Sequence, residues 1–481
     1  MARYILKQYC GTSVACRYVI PPDLRGPHVR EKLLNTINTA VSRVISLSPT
    51  LQVGISGEQS TKPVWINLGK VDLSKHVEWT SLDGSNYEKS MQDRILIELD
   101  KEFFKLDSRP GWRVVVMERT GSDLLDILFV WNHPHADGMS GKIFQHLLLK
   151  ELNMQSLHEP PDFSHPILEF PDFSPKFPPP INQLAKLPIS PSFVMKALWD
   201  DYKPTSLFKS PFQADWAPIS CSPYRSRFQV FDIGNEILLN VLSACRERKT
   251  TLTALLNALV LTSLSVHLEE SKARAFACST AIDQRRFLPP KHPDYPWMKP
   301  KETIGNYVSL QYHEFGTELV SQIRSEATHN NTGGEISTAL LELIWSISVK
   351  VRNEIQTRLN MGLKNDLVGL MRFVPDWKAQ FKSEVKKPRK LSWFMTNLGT
   401  IDENSEPNLG EGGENAWSIR RAQFTTSTEV PIGALIFSVM SVKNGELVVA
   451  CTWQDTVLEE SFVACIMTDL ERWLSQIGGK F

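Results

Sequence analysis

The sequence lacks the features that mark several large classes of protein. Its 481 residues include 53 Lys plus Arg and 53 Asp plus Glu, so no net charge points to nucleic acid or an anionic membrane as a partner. The seven cysteines are odd in number and form no Cys-x-x-Cys pair, which argues against a disulfide framework. No ATP-binding loop or dinucleotide fingerprint occurs, so neither a ligase nor a redox enzyme is indicated.

Long apolar runs of the kind that cross membranes are also missing. The most apolar helical segment, residues 252–268, contains several polar side chains and is shorter than the roughly 20 residues that span a bilayer. Residues 1–7 carry charges where a signal peptide needs an apolar stretch. Together with the scattered cysteines, these absences predict a cytoplasmic protein without a membrane span.

What is present is a large chain with helical and strand-like patterns on both sides of a proline-rich region. With 42% hydrophobic residues the chain can bury a large core, and its length favours two domains over one. Prolines cluster between residues 160 and 191 and predict a surface linker that interrupts regular structure. We therefore predict an α+β fold with a first domain over residues 1–158, a linker or crossover over 159–224 and a second domain over 225–481. Helical spacing or strand-like alternation is seen at residues 29–45, 113–117, 124–131, 139–152, 227–231, 252–268, 434–442, 447–453 and 461–474.

Two imidazoles, a carboxylate and a glycine stand together in the segment 131–138, where an apolar strand ends and a helix begins. In one interpretation His133 is a general base, because imidazole has a pKa near working pH, and Asp137 orders the loop. In a second, His133, His135 and Asp137 hold a metal, although the segment does not read as one regular strand. In a third, all three are satisfied polar groups at a strand end. Gly138 is expected to let the chain turn with a positive φ.

The pattern His133-x-x-x-Asp137-Gly138 resembles the His-x-x-x-Asp-Gly signature of the CoA-dependent acyltransferase superfamily. Members include chloramphenicol acetyltransferase, carnitine acyltransferases, BAHD plant acyltransferases, peptide-synthetase condensation domains and fungal alcohol O-acetyltransferases. Many members have a second histidine before the catalytic one, and Asn132 stands there in this chain. His135 falls in the variable gap of the signature, so the resemblance gives it no role.

Three later segments resemble the family in the same order along the chain. Residues 281–290 with 305–308 are similar to the BAHD Asp-x-Arg and Gly-Asn stretch, which implies that Arg285 pairs with Asp137. Residues 392–399 resemble the Ser-Asn-Leu-Gly strand of fungal alcohol acetyltransferases, which stands in place of the plant Asp-Phe-Gly-Trp-Gly motif and makes Asn397 a channel candidate.

Residues 424–431 resemble the hydroxyl-bearing strand of carnitine acyltransferases. Thr426 and Thr428 would share one strand face and are therefore oxyanion candidates. Ordinary β-favouring residues are the alternative interpretation of this run of hydroxyls.

The resemblance implies two chloramphenicol-acetyltransferase-like α/β sandwich domains with a central channel. His133, Asp137 and Gly138 would form the catalytic motif of an acyl-CoA-dependent O-acyltransferase, with N-acyl transfer also possible. The acceptor would be a small-molecule alcohol or amine of secondary metabolism, the reaction direct general-base catalysis, and acyl-CoA a co-substrate, with no tightly bound cofactor, no metal and a monomeric enzyme.

The donor site and several alternatives remain open. The basic run 386–390 supplies Lys387, Arg389 and Lys390 as candidates for the CoA phosphates, or is simply a solvated loop. The alternatives are a condensation-like enzyme with a carrier-protein thioester, reuse of the histidine for cyclisation or elimination, a metal-dependent hydrolase and an inactive interaction protein.

Overall fold

The computed structural model describes residues 1–82, 84–119, 121–155, 166–170, 177–203, 209–328, 336–402 and 416–479. The predicted linker is therefore described only in part. The strands are β1 (Gly11–Val19), β2 (Val53–Ser56), β3 (Val64–Asn67), β4 (Lys70–Asp72), β5 (Val77–Leu82), β6 (Trp112–Arg119), β7 (Leu124–Asn132), β8 (Ile167–Glu169), β9 (Ser226–Ile233), β10 (Phe276–Asp283), β11 (Val308–Phe315), β12 (Leu391–Ile401), β13 (Ser418–Thr426), β14 (Gly433–Val442) and β15 (Leu447–Gln454).

The helices cover both halves of the chain. The α-helices are α1 (Ala2–Ile5), α2 (Arg30–Leu47), α3 (Tyr87–Asp100), α4 (Gly138–Gln155), α5 (Ile181–Leu184), α6 (Pro191–Tyr202), α7 (Asn235–Glu247), α8 (Leu252–His267), α9 (Thr317–Thr328), α10 (Thr338–Asn360), α11 (Leu367–Leu370), α12 (Trp377–Glu384) and α13 (Glu460–Gly478). Short 3₁₀ helices lie at Pro22–Leu24, Pro27–Val29, Pro49–Leu51, Leu73–Lys75, Gly84–Asn86, Gln284–Phe287, Pro300–Glu302 and Met371–Phe373.

Two mixed sheets organise the molecule into two lobes. The first has the order β13-β1-β7-β6-β5, and the second has the order β11-β10-β12-β14-β15-β9. Helices α2 and α4 pack on one face of the first sheet, and α3 packs on the other. Helices α7, α8, α10 and α13 bury the apolar face of the second sheet. The α+β class and the patterned segments predicted from the sequence are confirmed.

Local sequence explains the clearest hairpin. Strands β14 and β15 pair antiparallel, with Leu435 opposite Trp453. Asn444 adopts φ +57° in the turn between them, and Gly445 follows it. An Asn-Gly pair favours such a turn because both residues tolerate positive φ.

Strand β13 departs from the predicted domain boundary. By sequence it lies in the segment 225–481, but it pairs antiparallel with β1 in the first sheet, with Thr12 opposite Thr426. This pairing covers the β1 edge, whose backbone groups would otherwise lack partners. The chain therefore crosses from the second lobe to the first and back, and β13 joins the two lobes beside the loop that follows β7.

The predicted linker contains more regular structure than its prolines suggested. Helix α6 runs for twelve residues within it, and Pro191 occupies the first helical turn. Proline is tolerated there because its missing N–H would have no partner in the helix. The Ser190 hydroxyl caps this helix by accepting from the Phe193 N–H at 3.4 Å. Within residues 160–191, where prolines were expected to interrupt regular structure, the described part contains the short elements β8 and α5, so that expectation was wrong there.

No single helix in the described ranges is long and apolar enough to cross a membrane, although the pair α7 and α8, bent by 95° at their junction, passes by length and composition together. Helix α8 is almost wholly buried in the core of the second lobe.

Candidate active site

The loop between β7 and α4 carries the histidine motif and is held by its own neighbours. The His135 N–H donates to the Asn132 carbonyl at 2.9 Å, which makes the turn tight. The indole N–H of Trp131 donates to the Ala136 carbonyl at 2.8 Å. These bonds fix the backbone on both sides of His133, so the direction of its side chain is set by the loop itself.

Glycines let helix α4 pack closely where the loop ends. A Cβ on Gly138 would lie 3.0 Å from side-chain atoms of Leu398 and Phe424, and one on Gly141 would lie 2.2 Å from the Trp131 ring. Gly138 does not have a positive φ, so the predicted reason for this glycine was wrong. Close approach of β12 and β13 to the start of α4 is the reason instead.

His133 lies where two cavities meet. The larger cavity has a volume of about 1370 Å³ and the smaller about 410 Å³. Both are lined by Arg3, Tyr9, His133, Asn306, Met371, Trp377, Phe381 and Glu429. An imidazole at such a junction can contact two ligands that arrive from different sides.

The two nitrogens of the His133 ring have different surroundings. The Asn306 amide nitrogen lies 3.0 Å from Nδ1 and donates to the His133 carbonyl oxygen at 3.1 Å. No residue in the described ranges hydrogen-bonds to Nε2. Burial lowers the pKa of His133, while the carboxylates of Glu429 and Asp137 oppose that shift. The ring is therefore neutral at neutral pH, with one nitrogen left for a ligand.

Asp137 is buried and fully engaged by the protein. Arg285 donates to its two oxygens at 2.7 and 3.1 Å, so the structure pairs these residues as the resemblance implied. The Ser140 N–H and hydroxyl and the Tyr307 N–H also donate to the carboxylate. Burial alone would raise the pKa of Asp137, but the Arg285 charge and these hydrogen bonds hold it below the usual value. Asp137 lines neither cavity and acts on the loop.

The Asp137 cluster also holds Asn306 in place. The carbonyl of Gly305 accepts from the Ser140 hydroxyl at 2.8 Å and from Arg285 at 3.0 Å, and Tyr307 is bonded to the carboxylate. The residue between them is thus fixed against His133. No role for Asn306 was predicted, because its contact with His133 joins residues 173 positions apart. The Gly-Asn pair was the one local signal that could have found it.

His135 is a structural residue and not a ligand. It is 1% exposed, and its Nε2 lies 3.2 Å from both the Gly111 N–H and the Val53 carbonyl. Burial lowers its pKa to about 4, so it is neutral. Across the ranges that the structure describes, no group of three or more His, Cys, Asp or Glu side chains could hold a metal. His133, His135 and Asp137 therefore do not converge as the metal interpretation required.

The two oxyanion candidates, Thr426 and Thr428, have different surroundings. The Thr426 hydroxyl is buried without a partner in the described residues, and Thr426 lines the larger cavity. Strand β13 ends at Thr426, so Thr428 does not continue its face. The Thr428 N–H donates to the Ser226 hydroxyl at 2.8 Å, and its carbonyl accepts from Tyr224. The prediction that both threonines share one strand face was wrong.

Asn397 lines neither cavity. Its side-chain oxygen accepts from the Gly399 N–H at 2.7 Å, and its amide donates to the Thr253 hydroxyl at 3.1 Å. It supports a bulge in β12 at which Gly399 has φ +67°. The channel assignment of Asn397 was wrong, and its neighbour Thr396 lines the larger cavity instead.

The three candidate cations of the basic run, Lys387, Arg389 and Lys390, have different surroundings. Arg389 is 2% exposed and donates to four backbone carbonyls, those of Ala217, Pro218, Val430 and Gly433, so it has no group free for phosphate. Lys387 is paired with Asp201 at 2.6 Å. Lys390 is exposed and lines the larger cavity. The candidate assignment was therefore wrong for Arg389, and Lys390 alone of the three combines exposure with a place at the cavity.

Comparison with known proteins places this geometry in a family. The family model described as alcohol acetyltransferase matches residues 78–462. The protein named probable alcohol acetyltransferase FCK4 of Fusarium pseudograminearum is 28% identical over 472 residues, which cover 95% of this chain and 89% of that protein. The probable alcohol acetyltransferase crmB of Aspergillus fumigatus is 24% identical over 379 residues, which cover 77% of this chain and 74% of that protein.

Solved structures with the same fold include an acetyltransferase and a condensation domain. The trichothecene 15-O-acetyltransferase TRI3 of Fusarium sporotrichioides has a TM-score of 0.68 at 14% identity and covers 99% of this chain and 94% of its own. The first condensation domain of the calcium-dependent antibiotic synthetase has a TM-score of 0.60 at 12% identity, with coverage of 99% and 93%. The predicted pair of chloramphenicol-acetyltransferase-like lobes is confirmed. Because the family model matches most of its length, this chain belongs to the alcohol acetyltransferase family and is an acyltransferase.

Proposed function

We propose that the protein transfers an acyl group from an acyl-CoA thioester to a hydroxyl of a small-molecule acceptor, with His133 as the general base. The position of His133 carries the proposal: two cavities meet at its ring, and Nε2 has no partner among the residues described. A donor and an acceptor that enter through different cavities would meet there. The names of the two curated relatives support an acetyl group and an alcohol acceptor.

In the proposed reaction Nε2 takes the proton from the acceptor hydroxyl while the hydroxyl oxygen attacks the thioester carbonyl carbon. The C–S bond then breaks, and the imidazolium returns the proton to the thiolate, so an ester and free CoA leave. No acyl-enzyme is needed, since the reactants are held together. Nε2 must carry a lone pair, which requires the proton on Nδ1. The His133 backbone carbonyl is the acceptor for that proton, so the Asn306 amide nitrogen donates to this carbonyl and not to Nδ1.

Other residues support this step without exchanging the proton. The unpartnered hydroxyl of Thr426 is the candidate donor to the tetrahedral oxyanion, a contribution worth roughly 10²–10³ in rate. Asp137 and Arg285 are positioning residues that hold the loop and Asn306. Lys390 lines the larger cavity, which this proposal gives to the acceptor, so it is not assigned to the CoA phosphates.

The larger cavity favours a bulky acceptor of the secondary-metabolite kind, since about 1370 Å³ exceeds what a short alcohol fills. Acyl-CoA is a co-substrate in this proposal and not a resident cofactor. The cytoplasmic location and monomeric state expected from the sequence remain predictions, as does N-acyl transfer.

A thiol-release assay tests the proposal directly. Acetyl-CoA and longer acyl-CoAs are offered with a panel of polycyclic and short alcohols, an amine, and in a separate arm an acyl carrier-protein thioester. Free thiol should appear with acyl-CoA and an alcohol together, and not with His133→Ala. Release from the carrier-protein thioester alone would contradict the donor, and undiminished release by His133→Ala would contradict the base.

A further inference from the structure

The wall of the larger cavity contains a buried amide side chain without a partner. Gln284 is 1% exposed and begins the 3₁₀ helix Gln284–Phe287. Its backbone N–H donates to the Tyr307 carbonyl at 2.8 Å, and the next residue, Arg285, is locked to Asp137. Its backbone position is thus fixed. Yet in the described part of the chain neither Oε1 nor Nε2 of Gln284 has a hydrogen-bond partner.

The other buried glutamines that the structure describes bond at least one end of the side-chain amide, and Gln145 bonds both ends. Gln145 is 0% exposed, and its Nε2 donates to the carbonyls of Val14 and Ile127, both at 3.0 Å. Its Oε1 accepts from the Tyr18 hydroxyl at 2.7 Å. Burying an amide without such bonds costs free energy, so exceptions require a reason. Gln284 differs from Gln145 in lining a cavity, so a ligand bound there is the partner within reach of its side chain.

We propose that the Gln284 carboxamide binds a second oxygen function of the acceptor alcohol and thereby selects which hydroxyl reaches His133. This inference rests on the proposed function. A carboxamide presents an N–H donor and a carbonyl acceptor side by side. A single hydroxyl can satisfy both, because its O–H donates to the amide carbonyl and its oxygen accepts from the amide N–H. A trans secondary amide, as in the pantetheine arm of CoA, has its N–H and carbonyl on opposite edges and can satisfy only one.

The rest of the cavity explains why one amide can decide orientation. Much of its wall is apolar, including Ile181, Leu187, Leu310, Phe394 and Ile436. Apolar walls hold a bulky skeleton without fixing its direction, and a few placed polar groups supply that direction. The acceptor class that fits is a bulky, mostly apolar alcohol with at least two oxygen functions.

The test compares Gln284→Met with Gln311→Met, a glutamine of the same lobe that lines neither cavity at His133. The probes are acetyl-CoA and matched polycyclic alcohols that carry either one hydroxyl or a second hydroxyl on the same skeleton. The wild-type protein should prefer the diols and acetylate one position. Gln284→Met should raise KM for diols about tenfold and mix the acetylated positions, with KM for acetyl-CoA and for single-hydroxyl alcohols unchanged. Gln311→Met should change neither quantity.

Each other outcome has one meaning. No wild-type preference for diols, or unchanged diol KM and product ratio in Gln284→Met, overturns the inference while the proposed function stands. A rise confined to the KM for acetyl-CoA also overturns it, because the amide would then contact the donor arm. The absence of thiol release with every alcohol overturns the proposed function itself. If Gln284→Met folds poorly, Gln284→Leu and the product ratio keep the test sharp, because that ratio does not depend on the amount of folded enzyme.

Discussion

Buried polar atoms have hydrogen-bond partners in the cluster around Asp137, but some in the wall of the larger cavity have none in the described residues. In the cluster, the carboxylate of Asp137 accepts from Arg285, Ser140 and Tyr307, so both of its oxygens are paired. In the cavity wall, the Thr426 hydroxyl and the Gln284 amide are buried without partners in the described residues. Buried polar groups are normally paired, so the second arrangement needs a cause.

This difference distinguishes the residues that hold the site in place from the residues that can contact its ligands. The paired cluster fixes the loop that carries His133 and the segment that carries Asn306, because each bond removes a direction of movement. Gln284 and Thr426 both line the larger cavity, where bound substrates can supply the missing partners. We therefore infer a structural role for Asp137 and a role in the reaction for His133 and Thr426. Substitutions can test each of these roles.

The largest effect is expected for His133→Ala. Removing a general base costs roughly 10²–10⁴ in rate, and the ring makes few contacts that stabilise the fold. We expect kcat/KM to fall by that factor, with a melting temperature close to that of the wild type. The matched control is His28→Ala, since His28 is exposed on the first lobe and lines neither cavity, and it should retain full activity. Turnover near the wild-type value in His133→Ala would contradict the role of His133 as the general base.

Asp137→Ala should act mainly on stability. It leaves the Arg285 charge buried without its main partner, and breaking a buried pair in this way costs about 3–5 kcal/mol. Urea unfolding should report that loss, with a parallel fall in kcat as the loop and Asn306 loosen. Asp283→Ala is the control, because Asp283 also contacts Arg285 at 3.1 Å but is 28% exposed. Equal destabilisation by both variants would show that Asp137 is not the special partner.

The sequence could predict residues whose roles depend on local pattern. The roles of His133, Asp137 and Arg285 were implied by motifs that resemble those of the acyltransferase superfamily, and the helix and strand periodicities predicted mixed structure in both halves. Arg389 could not be recognised as buried, because its burial depends on carbonyls supplied by residues as remote as Ala217.

The roles of other residues could not be predicted, because they depend on three-dimensional geometry. Thr428 was misplaced because one strand ended two residues early, and strand ends carry weak sequence signals. The exchange of β13 between lobes depends on pairing between residues about 400 positions apart, for which the chain holds no local pattern. The roles of Asn306 and Gln284 could not be predicted for the same reason. The role of Asn306 depends on its contact with His133, and that of Gln284 on the lack of a partner for its amide.

Thr426→Val should separate the oxyanion role from ordinary packing. Valine keeps the shape of threonine and removes the hydroxyl, so kcat should fall by roughly 10² while stability stays close to the wild-type value. The control is Thr425→Val on the other strand face, where the hydroxyl accepts from Gln423 and does not line the cavity. Thr425→Val should lose some stability and keep kcat. The reverse result would mean that the unpaired Thr426 hydroxyl has no part in the reaction.

The smallest expected effect concerns the pH dependence of His133. The Glu429 carboxylate opposes the lowering of the pKa of His133, and it is paired with Arg3 at 2.5 Å. In Glu429→Gln the negative charge is lost and the Arg3 charge is less balanced, so the pKa of His133 should fall further. A base works in its neutral form, so the acidic limb of the kcat/KM profile should move to lower pH. Glu384→Gln is the control, because Glu384 shares Arg3 as a partner but its carboxylate is not among the groups named as raising the pKa of His133, so the limb should move less. Identical acidic limbs in Glu429→Gln and the wild type would mean that the group titrating in the rate profile is not the His133 imidazole. Another residue would then have to act as the general base.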